Sequence, residues 1–81
     1  RTLVVGIGHA ESVLSYFEED GTSFHSVGDI DRVGLIQFKC RDQVDDFLLE
    51  MAVPESSAIE AAREFLINGG RPVSVQWEAD W

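Results

Sequence analysis

Two histidines, His9 and His25, one cysteine, Cys40, and several serines are the side chains here that could act as bases, nucleophiles or soft metal ligands. A metal needs three or four converging ligands, and no Cys/His pair in the chain has zinc-type spacing. A serine nucleophile needs an elbow that exposes its hydroxyl, and Ser12, Ser15, Ser23 and Ser26 sit in no such motif. Cys40 has no His beside it and reads as a small buried apolar residue. Gly6-Ile7-Gly8 after an apolar run begins like a dinucleotide loop, but Glu11 holds the place of the third glycine and would repel a pyrophosphate. The glycines read instead as a strand bend. Asp45 and Asp46 are adjacent carboxylates, yet neighbours on a strand point to opposite faces, so they read as turn-side charges rather than an acid–base pair. No catalytic residue, metal ligand or cofactor contact is assigned.

Binding is what remains. Fifteen acids against six bases give a net charge of −9, which argues against nucleic acid as a direct ligand and favours a basic partner. The same excess also serves solubility in many acidic proteins. Its arrangement adds information: Glu18, Glu19, Asp20, Asp29 and Asp31 follow one another without a Lys or Arg between them, and so do Asp42, Asp45, Asp46, Glu50, Glu55 and Glu60. Tyr16 and Phe24 lie among these acids and could anchor a partner that the charges steer, with core packing as the alternative for each ring. The candidate partner-binding set is therefore Tyr16, Glu18, Glu19, Asp20, Phe24, Asp29, Asp31, Asp45, Asp46 and Glu50.

These residues need a frame. Residues 2–8 read as a strand with Leu3, Val5 and Ile7 on one face and a thin glycine face opposite. Residues 12–19 fit a strand or a helical turn, and the following Glu19-Asp20-Gly21 turn with the alternation Thr22, Phe24, Ser26 favours a β-hairpin. After a loop from Gly28 to Asp31, residues 33–39 alternate between an Ile36/Phe38 face and a Leu35/Gln37/Lys39 face. Phe47, Leu49, Met51 and Val53 recur at period two, opposite Leu48, Glu50 and Ala52, and predict another strand ending at Pro54. Ser57-Ala58-Ile59-Glu60 has the spacing of a capping box. Ala58, Ala61, Ala62, Phe65 and Leu66 then form a helical stripe, which Gly69-Gly70 and Pro72 end. Residues 73–79 alternate, with Val73, Val75 and Trp77 inward; Trp81 is ambiguous. The connections are too short for crossover helices, so the expected fold is α+β: a curved antiparallel sheet of about six strands in a meander, with one helix from the C-terminal half packed across it.

Eighty-one residues with 44% hydrophobic composition suit one domain over residues 1–81. A single cysteine forms no internal disulfide, and no apolar run or leader suggests a membrane span or export, so a reducing, cytoplasmic setting is expected. The chain opens at Arg1 rather than Met, which fits an N-terminally trimmed stretch of a longer protein.

The segment from Val53-Pro54 through Ile59-Glu60-Ala61-Ala62-Arg63-Glu64-Phe65-Leu66 to Gly69-Gly70-Arg71-Pro72 and Val75-Gln76-Trp77-Glu78 resembles the ending of the family-one immunity proteins of bacterial polymorphic toxin systems. The shared pattern is an Ala-rich helix bearing Phe, a turn with Arg-Pro and a strand carrying Trp. The chain departs from many such proteins in lacking a clear N-terminal helix. The resemblance implies a cytoplasmic antitoxin without enzymatic activity that binds and blocks a cognate toxin, with nucleic-acid deaminases among the family's partners. Its matching residues are architectural, Phe65 and Trp77 packing helix on sheet and Pro72 fixing the turn. A toxin acting on nucleic acid needs an electropositive cleft, and a chain of charge −9 can cover one, as a 1:1 heterodimer, without touching nucleic acid or membrane. Two other classes remain: a regulatory or ligand-binding module, which a deep apolar pocket would favour, and a small hydrolase built on His9 or His25.

Overall fold

A computed structural model describes residues 1–6, 10–40 and 43–80, with the side chains of residues 39, 40 and 43 set aside. Expectations placed on Ile7, Gly8, His9, Asp42, Trp81 and the Cys40 thiol lie outside the described residues.

The elements run β1 (Thr2–Gly6), β2 (Glu11–Phe17), β3 (Ser23–Val27), β4 (Leu35–Cys40), β5 (Gln43–Leu48), a 3-10 turn (Leu49–Met51), β6 (Val53–Pro54), α1 (Glu55–Asn68) and β7 (Gln76–Ala79). The fold is α+β, with antiparallel sheets and the helix in the C-terminal half. The meander is broken, however. β1, β2, β3 and β7 lie in that order, β6 pairs with the start of β2, and β4 with β5 forms a hairpin of its own.

The β2–β3 hairpin closes as its turn residues require. Glu18 N–H donates to the Thr22 carbonyl at 2.8 Å, Gly21 takes φ +92°, and Asp20 Oδ1 accepts from both the Thr22 amide (2.9 Å) and hydroxyl (2.5 Å). Only a short polar side chain before a glycine builds this turn without strain.

β2 is buried on both sides, which is why its pattern could not be assigned by alternation: Ser12, Val13, Leu14 and Tyr16 are all covered. Leu14 joins Val53, Ala58, Ala61 and Val75 under the helix, whereas Val13 joins Phe38 and Ala52 under the β4–β5 hairpin. The molecule is thus three layers deep, and each fully buried Val or Leu contributes roughly 1.5–3 kcal/mol. Gly6 is what lets the hairpin close, because a Cβ there would sit 3.0 Å from Cγ of the Phe38 ring. The thin face of β1 is occupied by that ring.

The strand expected over 47–53 is displaced. β5 ends at Leu48, and the 3-10 turn follows, with Leu49 N–H on the Gly34 carbonyl (2.9 Å) and Ala52 N–H on the Leu49 carbonyl (3.1 Å). The turn redirects the chain from the hairpin to the edge of β2, so that Ala52 enters one core and Val53 the other. Period-two spacing alone could not reveal this, because two short strands separated by one turn keep nearly the same alternation.

The helix starts two residues before the expected cap. Pro54 is its N-cap, without a side-chain cap bond, and Ser57 lies inside the first turn. The Glu55 amide donates instead to the Ala10 carbonyl at 3.1 Å, so the sheet supplies the acceptor that a Ser cap provides elsewhere. Gly69 ends the helix in the left-handed region (φ +69°), its amide on the Phe65 carbonyl at 2.8 Å. The buried stripe is narrower than expected, since Ala58 and Ala61 are covered but Leu66, one position beyond Phe65 and about 100° around the helix, is exposed.

The last strand begins at Gln76 rather than Val73, which is exposed. Ser74 is held away from the sheet by Glu64, whose Oε2 accepts its amide (3.1 Å) and hydroxyl (2.7 Å). Val75 and Trp77 do pack inward, with Trp77 Nε1–H on the carbonyl of buried Pro72 at 2.7 Å.

Candidate partner-binding surface

The two candidate anchors are structural. Tyr16 is 1% exposed and its ring centre lies 6.1–6.3 Å from those of Phe24, Phe65 and Trp77. It joins β2, β3, β7 and helix through one aromatic cluster, as Phe65 and Trp77 were expected to do. Only its hydroxyl reaches outward, donating to Glu18 Oε1 at 2.8 Å. Burial, reinforced by that carboxylate, holds the phenol above the usual tyrosine range. Phe24 is half-buried, with the Arg71 guanidinium 4.3 Å from its ring centre, so a cation covers the ring.

The acids fall into two groups at opposite ends of β3, a strand whose five residues span roughly 13–17 Å. Glu18, Glu19 and Asp20 occupy the turn before it. There Arg1 Nε stands 3.1 Å from Glu18 Oε1, so the run that lacks a base in sequence acquires one in space. With Arg1 these acids line an open polar depression of about 210 Å³. The Thr22 hydroxyl and amide hold Asp20 below the usual carboxylate range.

The second group gathers beyond the other end of β3. Asp29 Oδ1 accepts the Asp31 amide at 3.0 Å, and the Gly28 amide donates to the Glu50 carbonyl at 2.8 Å, which brings that loop against the 3-10 turn. Arg32 is in reach of this group but is engaged by Glu11 in an ion pair. The hydrogen bond from Arg32 holds Glu11 below the usual carboxylate range and raises Arg32 in turn. Asp45 and Asp46 lie on β5, opposite Phe38 and Gln37 respectively, and both are exposed. They point to opposite faces as strand neighbours must, though from a strand rather than a turn.

Between and beside these acids is a feature that composition did not single out. Ile36, Phe38 and Phe47 turn inward, and the other face of the hairpin pairs Leu35 with Leu48, which are 60% and 51% exposed. Val44 on the same strand is 52% exposed, and Val33 and Ile30, on the approach to β4, are 93% and 70% exposed. An antiparallel pair packed on one face normally carries polar residues on the other. The signal was present in the sequence: Leu35 and Leu48 are large aliphatic residues on the sides of their alternating runs opposite the apolar faces.

A polar clasp ties the last strand to β3. His25 Nδ1 lies 2.5 Å from Asp80 Oδ1, Ser23 donates to Asp80 Oδ2 at 2.9 Å, and His25 Nε2 stands 3.9 Å from Glu78. The hydrogen bond from His25 holds Asp80 below the usual carboxylate range. His25, Glu50 and Glu78 share a cavity of about 40 Å³ with Ile30 and Met51, far short of the several hundred Å³ that a small-molecule site occupies. Among the described residues no three His, Cys, Asp or Glu side chains are grouped to hold a metal ion, and no helix is long and apolar enough to cross a membrane.

The surface thus offers charge and apolar area, which is the chemistry of recognition. The family model described as Immunity protein Imm1 matches residues 1–79. The chain belongs to that family. The match extends the likeness of the C-terminal third over nearly the whole chain, including the β2–β3 and β4–β5 hairpins. No curated protein and no solved structure gives a significant match. Membership of Imm1 makes the chain an immunity protein, implies a cognate toxin as its binding partner, and points to a non-enzymatic role.

Proposed function

We propose that this Imm1 protein neutralises a toxin that acts on nucleic acid, a deaminase or nuclease, by forming a 1:1 complex in which its acids cover the toxin's electropositive cleft. Family membership over residues 1–79 carries the reading. The net charge of −9 supports the mechanism, because a cleft built for phosphates is lined with Lys and Arg and attracts uncompensated carboxylates. Of the ten candidate contact residues, the grouping favours Asp29, Asp31, Asp46 and Glu50 as the contacting acids, with Asp45 beside Asp46 on β5. Glu18 and Asp20 are engaged by Arg1 and Thr22, while Glu19 shares their turn. Tyr16 and Phe24 act as supports, Tyr16 by orienting Glu18.

The test is calorimetric titration into a catalytically inactivated toxin encoded by the neighbouring gene, at low and high salt. Nanomolar 1:1 binding that weakens steeply with salt is expected. Tight binding indifferent to salt removes the acidic-cleft mechanism, and no binding removes the toxin reading.

A further inference from the structure

We infer that the outward face of the β4–β5 hairpin is the docking surface for the toxin, with Leu35, Leu48 and Val33 as its apolar centre and Asp46, Asp29 and Asp31 as its rim. The inference rests on the toxin reading and adds where the contact is made and by what.

Three observations support it. First, Leu35 and Leu48 are register partners, so their exposed side chains adjoin, and Val33, two residues before Leu35, is 93% exposed. Contiguous exposed aliphatic area of this kind marks interaction sites, whereas isolated exposed residues do not. Second, the opposite face of the same hairpin is already fastened to the core through Ile36, Phe38 and Phe47. The outer face is therefore presented by a hairpin that is packed on its other side. Third, acids border much of the patch: Asp46 stands between Leu48 and Val44 on β5, Asp29 and Asp31 flank Ile30, and Arg32 is engaged by Glu11, while Lys39, the register partner of Val44, is the one base of β4. An apolar centre inside a charged rim is the anatomy of a specific protein interface. Its complement is a protein surface with an apolar centre and a Lys/Arg rim, and a toxin with a phosphate-binding cleft supplies the Lys and Arg. Val4 on β1 and the outer helix residues Ile59, Leu66 and Ile67 are also exposed, but the charges among the helix residues are engaged within the molecule, Arg63 with Glu60 and Glu64 with Ser74.

The experiment titrates the inactivated toxin with the unaltered chain and with Val33→Lys, Leu48→Lys and, on the helix, Leu66→Lys. All three positions are exposed, and equal thermal midpoints confirm that each variant folds. Val33→Lys and Leu48→Lys are expected to weaken binding by about tenfold or more, and Leu66→Lys by no more than about twofold. Hydrogen exchange of the unaltered complex provides a readout free of substitution, with amides in 33–37 and 44–48 slowed by the toxin. Hairpin variants that bind like the unaltered chain, or protection confined to the helix, overturn the docking face while leaving the toxin reading intact. An unaltered chain that sediments as a dimer, and that Leu48→Lys turns into a monomer with full toxin affinity, assigns the face to a second copy and overturns the proposal. If the unaltered chain does not bind the toxin at all, the toxin reading fails first.

Discussion

The hydroxyl of Ser26 accepts the amide of Leu14 at 3.0 Å, in the place where a neighbouring strand would offer a carbonyl. It also donates to the Met51 carbonyl at 2.8 Å, so one buried side chain joins β2, β3 and the 3-10 turn where β3 parts from β2 and β6 takes its place. Ser26→Ala leaves a buried donor and a buried acceptor unmatched. A loss of about 2–3 kcal/mol is expected, measured as a lower urea midpoint with unchanged slope.

Gly28 lies so close to the 3-10 turn that a Cβ would overlap the Ala52 carbonyl. Backbone cannot give way as a side chain can. Gly28→Ala should cost about 3 kcal/mol, whereas Gly70→Ala, whose Cβ meets nothing within 4 Å, should change stability by less than about 0.5 kcal/mol. Thermal unfolding of the pair checks the contrast.

The His25–Asp80 clasp predicts acid sensitivity of the last strand. Asp80 has a lower pKa folded than unfolded, because the hydrogen bonds from His25 and Ser23 favour the carboxylate. Its contribution is complete above the ordinary value of 3.8 and is lost as pH falls through the lower folded value. Glu11, held low by Arg32, acts with the same sign. The Asp80 side chain is 43% exposed, so solvent screening limits its share to about 1 kcal/mol or less. Asp80→Asn should flatten part of the decline below about pH 4 in urea titrations, as pH falls from the ordinary carboxyl value toward the lower folded one.

Asp45→Lys/Asp46→Lys tests the steering role of the hairpin acids. Association with the toxin should slow by roughly tenfold at low salt, with a smaller effect on dissociation. Stopped-flow association that is unchanged at low salt removes these two residues from the encounter surface.

How far the sequence could be read depended on how many sides of each element are buried. The β2–β3 hairpin, the inward Ile36/Phe38 face and the helix end at Gly69 were legible because one local rule decides each of them. The strand expected over 47–53 was not, since the turn at Leu49–Met51 is set by contacts with Gly34 and Gly28, residues distant in sequence. Ser57 misled for a related reason: Ala10 satisfies the helix start from another strand. At the surface, the acids were visible as a run but their division across β3 was not, because only in three dimensions does Arg1 meet Glu18 and is Arg32 taken up by Glu11. Tyr16 stood among acids in the chain, yet its ring completes the aromatic core.

The pairing of β7 with β3 has a consequence for how the protein comes to be. The β1–β2–β3 part of the sheet pairs locally, but residues 24–27 find the partners on their other side at 76–79 and Ser12 finds Val53, so the sheet is closed only by residues much later in the chain. Until residue 79 has been made, one edge of β3 stays open and the aromatic cluster lacks Trp77. The closing contacts are long-range, which slows folding and prolongs exposure of an unfinished strand edge. Completion of the sheet, and of the surface it presents to a partner, therefore waits on β7.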